Sequence, residues 1–219
     1  SAETWTGQTS GVTTALNSVI CTSSSTCFVV GASSVVLSTT NSGTTWTKTT
    51  LAITTVNAVS CVSGTTCWAI GTLKGTSTGI YKTTNGTSWT FQANPGTATG
   101  TAISCPTTSS CAALAGTTVL QSTNGTSWSI YSGLTGSWVA CVPASTQCLD
   151  TTATQLRSFT LGGSAGTTFA VPAGYPPVQA TFPNVTPVLM TQPHRLLAHP
   201  QSPHGTRPLA AHTPRAATP

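Results

Sequence analysis

Short apolar runs, each closed by Ser, Thr, Asn or Gly, recur through the first 170 or so residues of this chain. One set reads Phe28-Val29-Val30-Gly31, Trp68-Ala69-Ile70-Gly71 and Ala112-Ala113-Leu114-Ala115. A second set follows each of these at a short interval: Val35-Val36-Leu37, Gly79-Ile80-Tyr81 and Thr118-Val119-Leu120. Ahead of both stand single apolar positions, Val19, Val59, Ile103 and Val139. Runs of this length bounded by turn formers predict strands and hairpins. Each copy therefore reads as strand, turn, strand, turn, strand, polar turn, strand. A fourth copy is present, but its run, Leu149-Asp150-Thr151-Thr152, has drifted from the pattern.

Cysteine fixes the frame of the repeat. The pairs are Cys21/Cys27, Cys61/Cys67, Cys105/Cys111 and Cys141/Cys148, and their first members are spaced by 40, 44 and 36 residues. Paired zinc ligands usually lie two to four residues apart with His nearby. Here the gaps are wider, and no His occurs before His194. An even set at regular spacing predicts four local disulfides and an oxidising compartment. Each would close a loop of about seven residues, contributing roughly 2.4 kcal/mol in the chain-entropy account. A four-stranded unit recurring near every 40 residues is what a propeller blade requires. The expected fold is all-β: a small β-propeller of four or five four-stranded blades, one disulfide per blade, with an extended C-terminal tail. The repeats span approximately 17–50, 56–94, 102–132 and 137–171, and the tail 172–219.

The polar turn of each copy carries a resemblance. Thr39-Thr40-Asn41-Ser42-Gly43-Thr44-Thr45-Trp46 resembles an Asp box (BNR repeat), Ser/Thr-x-Asp-x-Gly-x-x-Trp, with Asn41 in the Asp position. Asn85, Gly86 and Trp89 belong to a version one residue shorter, as do Asn124, Gly125 and Trp128. A fainter copy ends at Phe169. The turn chemistry is sound, since Asn and Gly accept left-handed backbone and an Asn side chain can bond its own turn. The resemblance covers roughly residues 1–170 and implies a sialidase-like propeller in which these boxes are structural and not catalytic.

Both ends depart from the repeat. Trp5-Thr6 lies as far before Cys21 as Trp89-Thr90 lies before Cys105, so the chain opens on an outer strand. Residues 175–190 are expected to supply inner strands to a fifth blade that this strand completes. The alternatives are that Trp5 adds a strand elsewhere, or that several chains build a larger ring. From Tyr175 onward Pro is frequent, and His194, His199, His204 and His212 fit no shared face, so no metal site is expected. A linker or assembly arm is expected here, with Val178–Phe182 or Val185–Met190 as strands for a neighbouring subunit.

Charge then excludes several classes. Only 4% of residues are charged, and before Tyr175 the charges are Glu3, Lys48, Lys74, Lys82, Asp150 and Arg157. No clustered Lys and Arg offer a nucleic-acid footprint. No apolar run reaches the length of a membrane span. The start, without a basic and then apolar leader, is expected to be that of a mature secreted chain. A sialidase needs an arginine cluster, a Tyr/Glu pair and an acid, whereas this chain has Arg157, Glu3 and Asp150. Glycoside hydrolysis in general needs two facing carboxylates. The expectation is therefore no enzyme and no cofactor.

Recognition chemistry rests on aromatics and sequons. Trp68, Trp138, Tyr81 and Tyr131 lie off the shared Trp pattern and are weighed as a sugar- or protein-binding platform against oversized core residues. Asn85, Asn124 and Asn184 each begin an Asn-x-Thr sequon. The first two already serve turns, which leaves Asn184 as the freer candidate for glycosylation. The expected function is a secreted or cell-surface structural or adhesive module, self-associating or bound to a surface protein or glycan. The alternative is a soluble propeller that recognises carbohydrate or protein. A third option, an assembly factor resembling the photosystem-assembly propellers, needs a basic patch that the sequence lacks.

Overall fold

The computed structural model describes residues 7–170 and, by backbone alone, the strands 177–181, 188–191 and 195–198. Four antiparallel four-stranded sheets follow one another in chain order. The first holds β1 (Leu16–Cys21), β2 (Cys27–Gly31), β3 (Val35–Thr39) and β4 (Thr47–Thr50). The second holds β5 (Thr55–Cys61), β6 (Cys67–Thr72), β7 (Thr78–Thr83) and β8 (Trp89–Ala93). The third holds β9 (Gly100–Ser104), β10 (Cys111–Ala115), β11 (Thr118–Ser122) and β12 (Ser129–Thr135). The fourth holds β13 (Trp138–Cys141), β14 (Gln147–Thr151), β15 (Gln155–Thr160) and β16 (Ala165–Ala170).

Within each sheet the strands lie in sequence order, so every connection is a hairpin. The registers repeat as well. Cys21 opposes Cys27, Cys61 opposes Cys67 and Cys141 opposes Cys148 in their ladders. This places the stapled turn at one end of every sheet, beside the turn between its third and fourth strands. That turn contains Asn in the first three sheets and Leu161-Gly162-Gly163-Ser164 in the fourth. The β2–β3 type turns and the connections between sheets lie at the other end.

The first strands form the centre: β1 lies beside β5, β5 beside β9, and β9 beside β13. Side chains tie these strands across the sheets. Asn17 Nδ2 donates to Val56 O at 2.9 Å, and Asn57 Nδ2 donates to Gly100 O at 2.7 Å. The Cys105 and Cys141 amides donate to the hydroxyls of Ser60 and Ser104, at 2.9 and 3.0 Å. Polar inner strands are thus satisfied by their neighbours, which buried polar groups require.

The core is divided among the sheet junctions. Phe28, Val30 and Val36 of the first sheet meet Val56, Val59 and Tyr81 of the second. Trp68, Ile70 and Ile80 then meet Ile103, Ala113 and Leu120. Leu114, Val119 and Tyr131 meet Val139, Phe159 and Leu161. Each sheet is therefore apolar on both faces near the centre, which explains runs of consecutive rather than alternating apolar residues. The outer strands differ: β12 places Tyr131 and Leu134 in the core, whereas β4 carries no such load. β4 reads Thr-Lys-Thr-Thr and is largely exposed, and its β-branched Thr residues favour strand without demanding burial.

The apolar position two residues before the first Cys shows what a neighbour does. Val59, Ile103 and Val139 are 7, 8 and 2% exposed, whereas Val19 is 65% exposed. The first sheet has no sheet before it among the described residues. Instead residues 7–15 run along it, with Gln8 Nε2 donating to Ser42 O at one end and Ala15 O accepting from Ala32 N at the other.

A fifth sheet follows the repeats, made of β17 (Pro177–Thr181), β18 (Val188–Thr191) and β19 (Arg195–Ala198). β17 lies beside β13 and β14, continuing the succession of first strands. β17 and β18 fall in the two segments expected to reach a neighbouring subunit, and here they pair with each other. Glu3, Trp5, Asn184 and all four His lie outside the described residues, so ring closure through Trp5 does too. Among the described residues, no helix is long and apolar enough to cross a membrane.

Candidate binding site at the sheet junctions

All four disulfides form as the spacing predicts, Cys21–Cys27, Cys61–Cys67, Cys105–Cys111 and Cys141–Cys148. They place the protein in an oxidising environment. Facing them at the same end are the Asn turns. Asn85 Oδ1 accepts from the amides of Thr87 and Ser88 at 3.0 and 2.8 Å, and Asn124 Oδ1 does the same with Thr126 and Ser127. Asn41 Oδ1 takes the Thr45 amide at 3.0 Å. The hydroxyls of Thr39, Thr83 and Ser122 accept from Gly43, Gly86 and Gly125. In the sequence these hydroxyls are marked only by a Thr or Ser three or four residues before the Gly.

Glycine is required in these turns for two reasons. Gly86 and Gly125 have φ of +75° and +72°, and a Cβ on them would meet Gly64 O at 2.7 Å and Thr108 O at 2.5 Å. The turn thereby closes down on the stapled hairpin of its own sheet, and Gly86 N donates to Thr65 O at 3.0 Å. The turn Trp packs against the preceding sheet. Trp89 meets Phe28 edge-on, with ring centroids 6.4 Å apart, and Trp128 joins the core between the second and third sheets. Trp46 is half-buried.

The aromatic platform is not assembled. Trp68 is fully buried between the second and third sheets, Tyr81 is buried between the first and second, and Tyr131 between the third and fourth. Trp138 is half-buried against the same cluster as Tyr131. Trp68 and Tyr81 sit on opposite faces of one sheet, because Ala69 rather than Trp68 opposes Tyr81. Each polar tip is used internally: Tyr81 Oη donates to Ala52 O at 2.9 Å, and Tyr131 Oη to Gly163 O at 3.1 Å. Burial pushes both phenols above their usual pKa. Lys82 lies 4.7 Å over the Trp68 ring, and burial lowers its pKa.

The open concavities lie at the other end. One, of about 240 Å³, is lined by Pro95, Gly96, Thr97, Ala98, Thr118 and Ile130 where the second sheet gives way to the third. The next, of about 330 Å³, is lined by Thr117, Thr135, Gly136, Ser137, Thr152 and Ala153 at the following junction. Thr117 and Thr118 form the wall between them. Ile130 is 59% exposed at the rim. The lining residues are small, uncharged and rich in hydroxyls, and no motif in the sequence marks them. They become neighbours only when sheets stack.

Behind the second cleft lies Asp150, the one carboxylate among the described residues, with none of its surface exposed. Arg157, directly opposite it across β14 and β15, donates from Nε to Asp150 Oδ1 at 3.2 Å and from Nη2 to Oδ2. The same Nη2 also donates to Thr135 O, a cleft residue. Burial raises the Asp150 pKa above the ordinary carboxylate value, against the opposing pull of Arg157. A Cβ on Gly136 would stand 3.0 Å from Asp150 Oδ2. The drifted fourth copy thus carries a buried ion pair where the others carry apolar residues. Its sequence, Asp in one strand and Arg seven residues on, held the signal once the strands were paired. No cluster of metal ligands occurs among the described residues.

No family model and no curated protein matches this sequence. Solved structures do match in fold. The structure "YCF48 bound to D1 peptide" superposes with a TM-score of 0.61 at 15% identity, over 82% of this chain and 61% of that one. Virginiamycin B lyase from Staphylococcus aureus gives 0.64 at 13% identity, over 85% of this chain and 70% of the lyase. The WD40 repeats of RRP9 give 0.67 at 10% identity, over 82% and 61%. This chain therefore spans about three-fifths of the length of the first and last of these. Its four sheets and their succession about common first strands are those of β-propeller blades.

Proposed function

We propose that this chain is an extracellular, non-enzymatic propeller module that recognises protein, holding an extended partner segment in the clefts between its blades. The observation that carries this reading is the pair of adjoining, uncharged clefts at the second and third blade junctions. Extended chain binds through main-chain hydrogen bonds with small pockets for alternate side chains, and walls of Thr, Ser, Gly and Pro supply both. Catalysis has little to work with there, since Asp150 lies behind the wall and is neutralised by Arg157. The YCF48 neighbour binds a peptide on the same fold, which supports the reading without carrying it. Burial of Trp68, Tyr81 and Tyr131 favours protein over sugar, because stacked sugars need exposed rings.

The test is a selection of unstructured peptides on the immobilised full chain, followed by titration of the recovered peptides. Ile130→Asp and Ser137→Arg should each weaken binding at least tenfold while leaving the melting temperature unchanged. Peptides whose affinity ignores both substitutions would overturn the cleft assignment.

A second reading, a structural or adhesive subunit of an extracellular assembly, is favoured by Val19. The face of β1 that carries it corresponds to surfaces buried in every later blade. A second copy covering that face would form an assembly that Val19→Asp disperses. Sedimentation at several concentrations reads this directly, and a monomer throughout removes the second reading.

A further inference from the structure

We infer that Asn85 and Asn124 are N-glycan acceptors, so that the disulfide end of the propeller is sugar-coated and the cleft end is bare. The inference rests on the extracellular reading above. Both residues start an Asn-Gly-Thr sequon, and both also hold a turn. The geometry shows that the turn uses only one side of the amide. Asn85 Oδ1 accepts from Thr83 Oγ1 at 3.1 Å, from Thr87 Oγ1 at 3.1 Å and from the two following amides. Asn124 Oδ1 accepts likewise from Ser122 Oγ, Thr126 Oγ1 and the amides of Thr126 and Ser127. In neither residue does Nδ2 donate to any described residue, and both side chains are exposed.

Asn41 supplies the internal contrast. Its turn is one residue longer, its Nδ2 is used to donate to Thr45 Oγ1 at 2.9 Å, and its sequence, Asn41-Ser42-Gly43, is no sequon. The two turns that leave the nitrogen free are the two that carry the sequon.

Attachment suits this arrangement. Nδ2 forms a bond to the anomeric carbon of a lipid-linked oligosaccharide donor and loses one proton. The bond from that carbon to the donor's pyrophosphate oxygen breaks, and lipid pyrophosphate leaves. The product is still a planar amide whose carbonyl oxygen faces inward, so every turn bond to Oδ1 persists. The sequon hydroxyls of Thr87 and Thr126 already lie on their own Asn side chains.

The test expresses the full chain behind a secretion signal in an animal cell line and treats the secreted protein with a peptide amidase that converts glycosylated Asn to Asp. Peptide mapping should show conversion at Asn85 and Asn124 and none at Asn41. Asn85→Gln and Asn124→Gln should each remove one step of mass, while Thr87→Ser should keep it. Secreted, fully oxidised protein with both Asn unconverted, or with glycan at Asn184 alone, overturns the sites and leaves the extracellular reading standing. Retention in the cell with free thiols overturns the extracellular reading, and the sites with it.

Discussion

Trp68 of the second blade donates its indole Nε1–H to the carbonyl of Gly125 in the third, at 2.9 Å, with both residues buried. The bond joins the residue after one stapled turn to the glycine of the next blade's Asn turn. The first and second blades repeat the plan without the polar bond, since Phe28 Cζ lies 3.6 Å from where a Gly86 Cβ would be. Trp68→Phe keeps much of the packing but orphans the Gly125 carbonyl. Leaving a buried acceptor unpaired costs about 1–3 kcal/mol. Urea unfolding of Trp68→Phe should show at least that loss, and Trp68→Ala about 3–5 kcal/mol. A Phe variant as stable as the parent would mean that Gly125 O finds another donor.

The Asn turns should discriminate sharply between substitutions that look alike. Asn124→Asp keeps an oxygen that accepts the Thr126 and Ser127 amides, so its stability should stay within about 0.5 kcal/mol of the parent. Asn124→Ala removes that acceptor and should cost about 1 kcal/mol, as for a lost cap. Gly125→Ala meets both positive φ and the Thr108 carbonyl, and should be the worst of the three. Thermal unfolding of the three variants checks the order.

What was legible in the sequence was local. Cys pairs, turn residues and apolar runs lie within about ten residues of one another, so the hairpins and staples could be read directly. The fate of Trp68, Tyr81 and Tyr131 could not, because their burial is created by a neighbouring blade some 40 residues away. Neither could the clefts, whose walls come from two connections and two turns with no shared motif. Asp150 lay between these cases: its partner is near in sequence, but only strand register sets the two face to face.

The four disulfides close loops of nearly equal length, with separations of 6, 6, 6 and 7 residues. Chain entropy alone would make each contribute about 2.4 kcal/mol. Their surroundings differ. Cys105 and Cys111 are buried within the core between the second and third blades, whereas Cys21 is exposed at the open face. Replacing Cys105 and Cys111 by Ser should therefore cost more than replacing Cys21 and Cys27, because it also buries hydroxyls. Denaturant midpoints of the two double variants measure the difference, and equal losses would leave loop entropy as the whole effect.

Removing Arg157 should expose the cost of a buried, uncompensated carboxylate. Breaking such a pair from one side typically costs about 3–5 kcal/mol, and Arg157→Met should lie in that range near neutral pH. The folded pKa of Asp150 already stands above its unfolded value. Its contribution is therefore fully present below the unfolded pKa and lost as pH rises through the folded one. Arg157→Met lifts the folded value further, so its deficit should shrink toward about pH 4 and grow toward neutrality. Adding Asp150→Leu to Arg157→Met should recover most of the loss at neutral pH. A deficit independent of pH would assign the effect to packing of the Arg157 stem.

One repeat position should give opposite answers in different blades. Val139 is buried between the third and fourth blades, and losing such a side chain forfeits about 1.5–3 kcal/mol of transfer free energy. Val19 stands at the same repeat position with most of its surface in water. Val139→Ser should therefore lower stability strongly, while Val19→Ser should stay within about 0.5 kcal/mol of the parent in dilute solution. Concentration makes the comparison more informative. If a second copy covers β1, the melting temperature of the parent should rise with concentration, since ligation of the folded state stabilises it by mass action. Val19→Ser should flatten that rise. Melting temperatures of both proteins across a hundredfold dilution series decide it: a flat line for the parent means that the face of β1 is left to solvent.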